Sequence, residues 1–267
     1  MNDAIDSREK ALKTVILEAG QLALNHFHQR DPQEISLKGA QDFLTEADGL
    51  VENLIRDSIC KQFPQDVVFG EESGGFNTDS DYLWIVDPID GTANFARGID
   101  HFCVAIALVY RAETLLGAIY NPVTDELYLA RKGHYALKNQ SPLHIAKTAH
   151  IASSSFELGW STRVSQQRYL SAIDNLLTLG TNIRRGASGA LALAWVAEGR
   201  TDGYAELHMN AWDCLAGLLL VREAGGYTGT YPQNLDEIRF GGPVFAAAPG
   251  VAQSLADALD IPLLAQQ

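Results

Sequence analysis

The sequence predicts a mixed α/β protein, and three observations carry that prediction. Two amphipathic helical patterns open the chain, short strands joined by tight turns follow to about residue 145, and strands alternating with helical stretches fill the remainder. Short turns between strands imply an antiparallel meander, whereas alternation implies crossover connections and a largely parallel second sheet. The expected organisation is an N-terminal α+β half over residues 1–145 packed closely on a C-terminal α/β half over residues 146–267, with no repeat or obvious linker between them.

The first helix is read from Ile5, Leu12, Val15, Ile16, Ala19, Leu22, Ala23 and Phe27, which recur at steps of three and four and stop before Asp31-Pro32. A second follows Thr45, with Leu50, Val51, Leu54, Ile55, Ile59 and Phe63 on one face and Pro64 closing it. The strand-like pieces are Val67–Phe69, Tyr82–Val86, Phe102–Tyr110, Leu115–Tyr120, Glu126–Ala130 and Tyr135–Lys138. Turn chemistry at Arg111-Ala112-Glu113, Asn121-Pro122 and Lys132-Gly133 separates the last four. In the second half, strands are expected at Ile151–Leu158, Thr181–Arg184, Gly203–Leu207, Tyr227–Thr230 and Val244–Ala248. Helices are expected at Val164–Leu179, Ser188–Glu198, Ala211–Ala224 and Val251–Leu259.

Composition narrows the function. The 267 residues are 46 % apolar and 20 % charged, as in a soluble globular protein, and carry a formal charge of −13. Such an acidic surface repels polyanions, so nucleic acid is not an expected partner. Cys60, Cys103 and Cys214 are odd in number and far apart, which indicates neither a disulfide framework nor a thiolate zinc site. The N-terminal stretch is charged and helix-patterned, unlike a signal peptide. The longest apolar run, Phe102–Tyr110, is about nine residues against the ~20 of a membrane helix. A reduced, cytoplasmic protein without membrane attachment is expected.

The chemistry concentrates in Asp87-Pro88-Ile89-Asp90-Gly91-Thr92-Ala93-Asn94-Phe95, at the end of the strand Tyr82–Val86. Pro88 breaks the strand ladder, and the following turn lets Asp87 and Asp90 face one point. Gly91-Thr92 are small, with amides free to donate if a helical turn begins there. Two carboxylates beside free N–H groups suit a phosphate bridged to a hard divalent cation. Each candidate also has a plainer structural explanation. Asp-Pro is a turn former and Asp90 could cap a helix; Glu71-Glu72 in Gly70–Gly75 could be a solvated loop. Asp213 in the first turn of its helix could serve the dipole, and Thr45-x-x-Asp48 matches a capping box.

In combination, Gly-Glu-Glu at 70–72, the Asp87–Phe95 motif, Trp212-Asp213-x-x-Ala216-Gly217 and Glu223-Ala224-Gly225-Gly226 resemble the inositol monophosphatase family. These are magnesium-dependent, lithium-sensitive phosphatases related to fructose-1,6-bisphosphatase and the bisphosphate nucleotidases, and the similarity runs from the first helix to about residue 250. The resemblance implies a five-layer αβαβα sandwich. It implies Glu71, Asp87, the carbonyl of Ile89, Asp90 and Asp213 as metal ligands for two to three Mg²⁺, with Mn²⁺ able to substitute. All-oxygen ligands favour magnesium over zinc.

The resemblance further implies that Glu71 and Thr92 hold the attacking water, with Asp48 orienting the Thr92 hydroxyl. The Gly91 and Thr92 amides receive the phosphate, Asp90 and Asp213 also belong to the substrate-binding set, and Lys38 sits in a mobile active-site segment. Substrate selection falls to Ala187 in the turn Ile183–Ala190, to Glu206 and to Asn210. Glu206 matches an acidic residue that binds ring hydroxyls, its alternative being a pairing with Arg184 or Arg185. His101 is expected to be structural. The implied activity is hydrolysis of inositol 1-phosphate, a small phosphate ester, by a homodimer. Histidinol phosphate, sugar phosphates and 3′-phosphoadenosine 5′-phosphate are alternatives, as is a regulatory protein that keeps the fold.

Overall fold

The computed structural model describes residues 2–30, 36–39, 42–44, 46–77 and 79–265, with the backbone alone at 2, 36–39 and 42–44. Thr45 and the Lys38 side chain, both singled out above, lie outside the described residues. Helix α1 (Asn2–Gln29) precedes a separate antiparallel ribbon, β1 (Ser36–Gly39) and β2 (Asp42–Leu44), and then α2 (Glu46–Gln62). The first large sheet follows: β3 (Val67–Gly70), β4 (Tyr82–Asp90), a short helix α3 (Thr92–Arg97), β5 (Cys103–Tyr110), β6 (Glu113–Asn121), β7 (Glu126–Arg131), β8 (Tyr135–Lys138) and β9 (Ser141–Pro142). Its strands lie in sequence order, parallel for β3–β4 and antiparallel thereafter, which is the expected meander.

The second half runs β10 (Ser155–Leu158), α4 (Gln166–Thr178), β11 (Asn182–Arg184), α5 (Gly189–Glu198), β12 (Gly203–Met209), α6 (Ala211–Glu223), β13 (Tyr227–Thr228), α7 (Leu235–Phe240), β14 (Gly242–Ala247) and α8 (Pro249–Leu259). The sheet order is β11-β10-β12-β14-β13. It is less parallel than the alternation suggests: β10 pairs in parallel with β11 and β12, but β14 lies antiparallel to both β12 and β13. The cause is the short α7 connection, which turns the chain back beside β13 instead of crossing over. The stretch expected as one strand from Ile151 opens as a 3₁₀ turn, Ile151–Ser153.

Side-chain alternation assembles these elements into five layers. On β4 and β5, Trp84, Val86, Val104, Ile106 and Leu108 face Val15, Ile16 and Ala19 of α1 and Val51 and Ile55 of α2. Leu83, Ile85, Ala105, Ala107 and Val109 point the opposite way, onto α5 and α6. The far side of α5 and α6 meets Tyr204, Met209, Val244 and Ala246 of the second sheet. The alternate residues of that sheet, Ala205, Leu207, Phe245 and Ala247, then face α4 and α8. The result is the αβαβα sandwich. Because α5 and α6 lie between two sheets they are apolar all round, with Ala190–Ala194 and Cys214–Val221 all buried.

One polar network is built into the outer layer. Arg8 of α1 forks onto Asp66, with donor–acceptor distances of 2.8 and 2.6 Å, and the Trp84 indole N–H donates to the same carboxylate at 2.8 Å. The guanidinium also lies 3.8 Å from the centre of the Tyr82 ring. Removing one partner of a buried ion pair leaves the other charge uncompensated, at about 3–5 kcal/mol. Asp66→Ala is therefore expected to lower stability by about 3 kcal/mol or more, read as a shifted midpoint in urea unfolding with an unchanged slope.

Candidate active site

β4 is buried from Leu83 to Asp90, and its pairing with β5 breaks register between Asp87 and Asp90. Pro88 has no N–H to give the ladder, so the strand bulges there and re-aims its side chains. Asp87 and Asp90 thereby converge with Asp213, from the first turn of α6, and their nearest carboxylate oxygens all lie within 4.8 Å of one another. Glu71, at the end of β3, stands on the rim of this group: it lines the same cavity and its charge acts on Asp87.

Burial raises the pKa of all three aspartates, and the Asp90 charge adds to the rise at Asp87 and Asp213. Burial is the largest cause for Asp87, followed by the charges of Glu71, Asp90 and Asp213. Burial also raises Asp90, against hydrogen bonds from Ser188, Ala190 and Gly189 that pull the other way. Asp213 is pushed up to about 8 by burial, then by Asp90 and Glu206. An all-oxygen cluster that resists ionisation on its own is matched to a hard divalent cation, whose charge reverses the balance.

Asp90, Asp213 and the turn that carries Glu71 are each held from behind by hydrogen bonds from neighbouring elements. Asp90 accepts hydrogen bonds from the Ser188 hydroxyl and from the N–H groups of Gly189 (3.2 Å) and Ala190 (2.9 Å), so the start of α5 closes over it. Asp213 accepts from the Asn210 N–H at 3.2 Å, a cap that fixes its rotamer. The Glu71 turn is tied by Glu52, 1 % exposed, whose carboxylate accepts from the N–H groups of Glu72 (2.8 Å) and Ser73 (3.1 Å) and pairs with Arg56 at 3.2 Å. A Cβ on Gly70 would lie 2.3 Å from that carboxylate, so only glycine fits there. The i, i+4 ladder Asp48–Glu52–Arg56 along α2 was the sequence signal for Glu52.

Gly91 takes φ +91° and sets the start of α3, whose first N–H groups have no partner within the helix. The Ile89 N–H donates to Asp87 (3.0 Å), and the Ile89 carbonyl accepts from the Thr92 hydroxyl at 2.9 Å. Asp48, 1 % exposed, lies 3.4 Å from the same hydroxyl. One hydroxyl proton cannot serve both acceptors at full strength, and here the shorter contact is to Ile89. Asn94 donates to the carbonyls of His101 (2.7 Å) and Gly186 (2.8 Å), joining α3 to the loop that carries Ala187.

A cavity of about 280 Å³ opens above the cluster. Of the residues named from sequence, Glu71, Asp90, Gly91, Thr92, Ala187, Glu206 and Asp213 line it; Asp87 and Ile89 lie beneath, and Asp48 lies behind Thr92. Asn210 does not reach the wall: its side-chain carbonyl accepts from Arg163 at 2.8 Å, which turns it aside. Trp160 and Tyr204 line the wall and were not foreseen, and Arg185, expected only as a pairing for Glu206, lines it too. Glu206 accepts from the Tyr204 hydroxyl at 2.8 Å, and burial pushes its pKa up to about 7. Arg184 pairs instead with Glu157 at 3.3 Å. Ala187 adopts φ +61°, a conformation that costs a residue with a Cβ about 1–2 kcal/mol. His101 packs against Trp195 and lies off the cavity.

A buried carboxylate cluster at a strand end, beneath a half-open cavity in an αβαβα sandwich, marks the class of metal-dependent phosphatases. The chain belongs to the inositol monophosphatase family, whose profile it matches over residues 5–262. It is 38 % identical over 218 residues to the inositol-1-monophosphatase of Rhizobium meliloti (strain 1021), covering 80 % of this chain and 81 % of that protein. It is 36 % identical over 217 residues to the Nus factor SuhB of Escherichia coli (strain K12), with 80 % and 81 % covered. Among solved structures, the extragenic suppressor protein suhB of Bartonella henselae superposes with a TM-score of 0.86 at 32 % identity, over 95 % of this chain and 98 % of that one.

The raised carboxyls make stability depend on pH. A carboxyl held above its unfolded pKa keeps its proton longer in the folded state, so folding stability falls as pH rises from about 4 through the folded value. For Asp213 that window ends at about 8. In EDTA at pH 8, Asp213→Asn is expected to be more stable than the parent by at least ~1 kcal/mol, and the advantage should vanish below pH 4. Saturating Mg²⁺ should reverse the order. Thermal unfolding across pH 4–8 reads all three.

Proposed function

We propose that this protein is a Mg²⁺-dependent phosphomonoesterase that hydrolyses inositol 1-phosphate to inositol and phosphate. The observation that carries the reading is the convergence of Asp87, Asp90 and Asp213 within 4.8 Å at the floor of the cavity. Glu71, Asp87, Asp90 and Asp213, with the Ile89 carbonyl, would hold two to three Mg²⁺, and Mn²⁺ would serve in their place. Bound there, the metal supplies Lewis acidity toward a water and the ester oxygens.

The protein's own groups do the remaining work. The first amides of α3, beside Gly91 and Thr92, donate to the phosphate oxygens, and Gly91 leaves room for the approach. Glu71 and Thr92 hold the water. Asp48 accepts the Thr92 proton once the hydroxyl turns from Ile89, so that the Thr92 oxygen accepts from the water. Glu206, with its carboxyl pushed up to about 7, is about half protonated at pH 7 and can both donate to and accept from polyol hydroxyls, with Tyr204 fixing one of its oxygens.

The ester remains the finer part of the proposal. The acidic surface would suit a cationic alcohol such as histidinol, but the cavity wall sets Arg185 near Glu206, which counts against one. We place the enzyme in the cytoplasm as a homodimer, in keeping with its unpaired cysteines. Residues 1–145 supply most of the metal ligands and 146–267 the substrate-selecting groups and the last ligand. Among the described residues no helix is long and apolar enough to cross a membrane. A regulatory role is the second reading, favoured by relatives that carry the name Nus factor SuhB.

Phosphate release from inositol 1-phosphate, histidinol phosphate, fructose 1,6-bisphosphate and 3′-phosphoadenosine 5′-phosphate, with and without Mg²⁺ and with Li⁺, tests the reading. Inositol 1-phosphate should lead by at least about tenfold in kcat/KM, a gap of ~1.4 kcal/mol. Asp90→Asn should lose at least ~10²-fold in kcat, while Glu206→Ala should act mainly on KM. Absence of Mg²⁺-dependent release from every ester would overturn the proposal.

A further inference from the structure

A second cavity, of about 420 Å³, lies at the opposite end of α6 from Asp213. Arg222 and Asp213 are nine residues apart on that helix, about 14 Å along its axis. The walls come from the last turn of α6, from β13 and from the ends of β6 and β7, so the cavity shares no residue with the one above the aspartates.

Most of its charged groups are already matched. Lys132 pairs with Glu113, and Glu223 accepts the Gly133 N–H at 2.9 Å. Two groups are not. Arg222 spends its Nε–H on the Leu218 carbonyl at 3.2 Å, and among the described residues no carboxylate lies within ion-pair distance of its guanidinium. Burial pushes its pKa below the ordinary arginine value. Among the described residues the Thr228 hydroxyl, on a residue only 2 % exposed, has no hydrogen-bond partner, and Thr228 is one of the residues around the same space. A buried hydroxyl without a partner is costly. A planar cation beside it is shaped for two-pronged recognition of an oxyanion.

The chemistry of the walls selects among oxyanions. Glu113 and Glu223 face the same cavity, so a phosphate dianion meets two like charges while a single carboxylate meets them at half the charge. Tyr227, Leu264 and Ala265 supply apolar surface beyond Arg222, enough for a small organic group and wasted on a bare ion. We infer that this cavity is a binding site for a small organic monocarboxylate, its carboxylate held by Arg222 and Thr228 and its apolar body against Tyr227 and Leu264.

The test uses the full chain in EDTA, where the metal-free aspartate cluster repels anions and the phosphatase reading plays no part. Benzoate and inorganic phosphate are titrated separately by calorimetry and ligand-observed NMR. Saturable benzoate binding is expected, weakened at least tenfold by Arg222→Met and several-fold by Thr228→Val, with phosphate weaker than benzoate. The inference is overturned if benzoate shows no saturation, or if natively folded Arg222→Met binds it as the parent does. Tighter binding of phosphate overturns it as well. Should Arg222→Met fail to fold, Thr228→Val decides, and an unchanged affinity in that variant overturns the proposal. Because no metal is present, failure here leaves the phosphatase proposal untouched.

Discussion

Three aspartates forced together where the core meets an open cavity are the constraint on which the rest of this structure depends. Asp87, Asp90 and Asp213 come from a strand end and a helix start, two elements that meet only because β4 and α6 share one core. Burial and mutual repulsion oppose their ionisation, so the fold holds an arrangement that is unfavourable by itself and favourable around a cation. That is strain stored where the chemistry needs it. Carboxylates gathered at the floor of an open cavity form an arrangement that a hard cation would stabilise.

The surrounding structure can be understood as what keeps that arrangement from relaxing. The start of α5 gives Asp90 three donors, Asn210 caps Asp213, and Glu52 fastens the turn that presents Glu71. These supports come from the outer helical layer, through α2, and from the middle one, through the starts of α5 and α6. Each is a short polar contact set in apolar packing, where a small displacement would be resisted on all sides. The sandwich therefore positions these carboxylates more rigidly than a surface loop could.

Much of this was legible in the sequence, for physical reasons that differ by element. β5 reads as the uninterrupted run Phe102–Tyr110 because helices cover both faces of its sheet, leaving no polar side to mark. The aspartates were legible because a proline, a glycine and two carboxylates in five residues have few structural reasons to coincide. The supports were harder. Ser188 looks like an ordinary helix cap, and it is one, accepting from Leu191 at 3.4 Å while it also serves Asp90. Asn210 stands off the cavity: sequence gives its nearness to Asp213 but not the hydrogen bond that Arg163 donates to its side chain. The short helix α7 announces itself only by Asn234-x-x-Glu237, a capping signal without an apolar stripe behind it. Missing it made the second sheet look more parallel than it is.

The most direct test of the central claim is anomalous diffraction from crystals soaked in Mn²⁺, a hard cation that accepts the same oxygen ligands. The account predicts density for at least one ion within coordination distance of Asp87, Asp90 and Asp213, with no comparable peak in crystals of Asp90→Asn. An empty cluster at saturating Mn²⁺, or ions bound only elsewhere on the acidic surface, would contradict it.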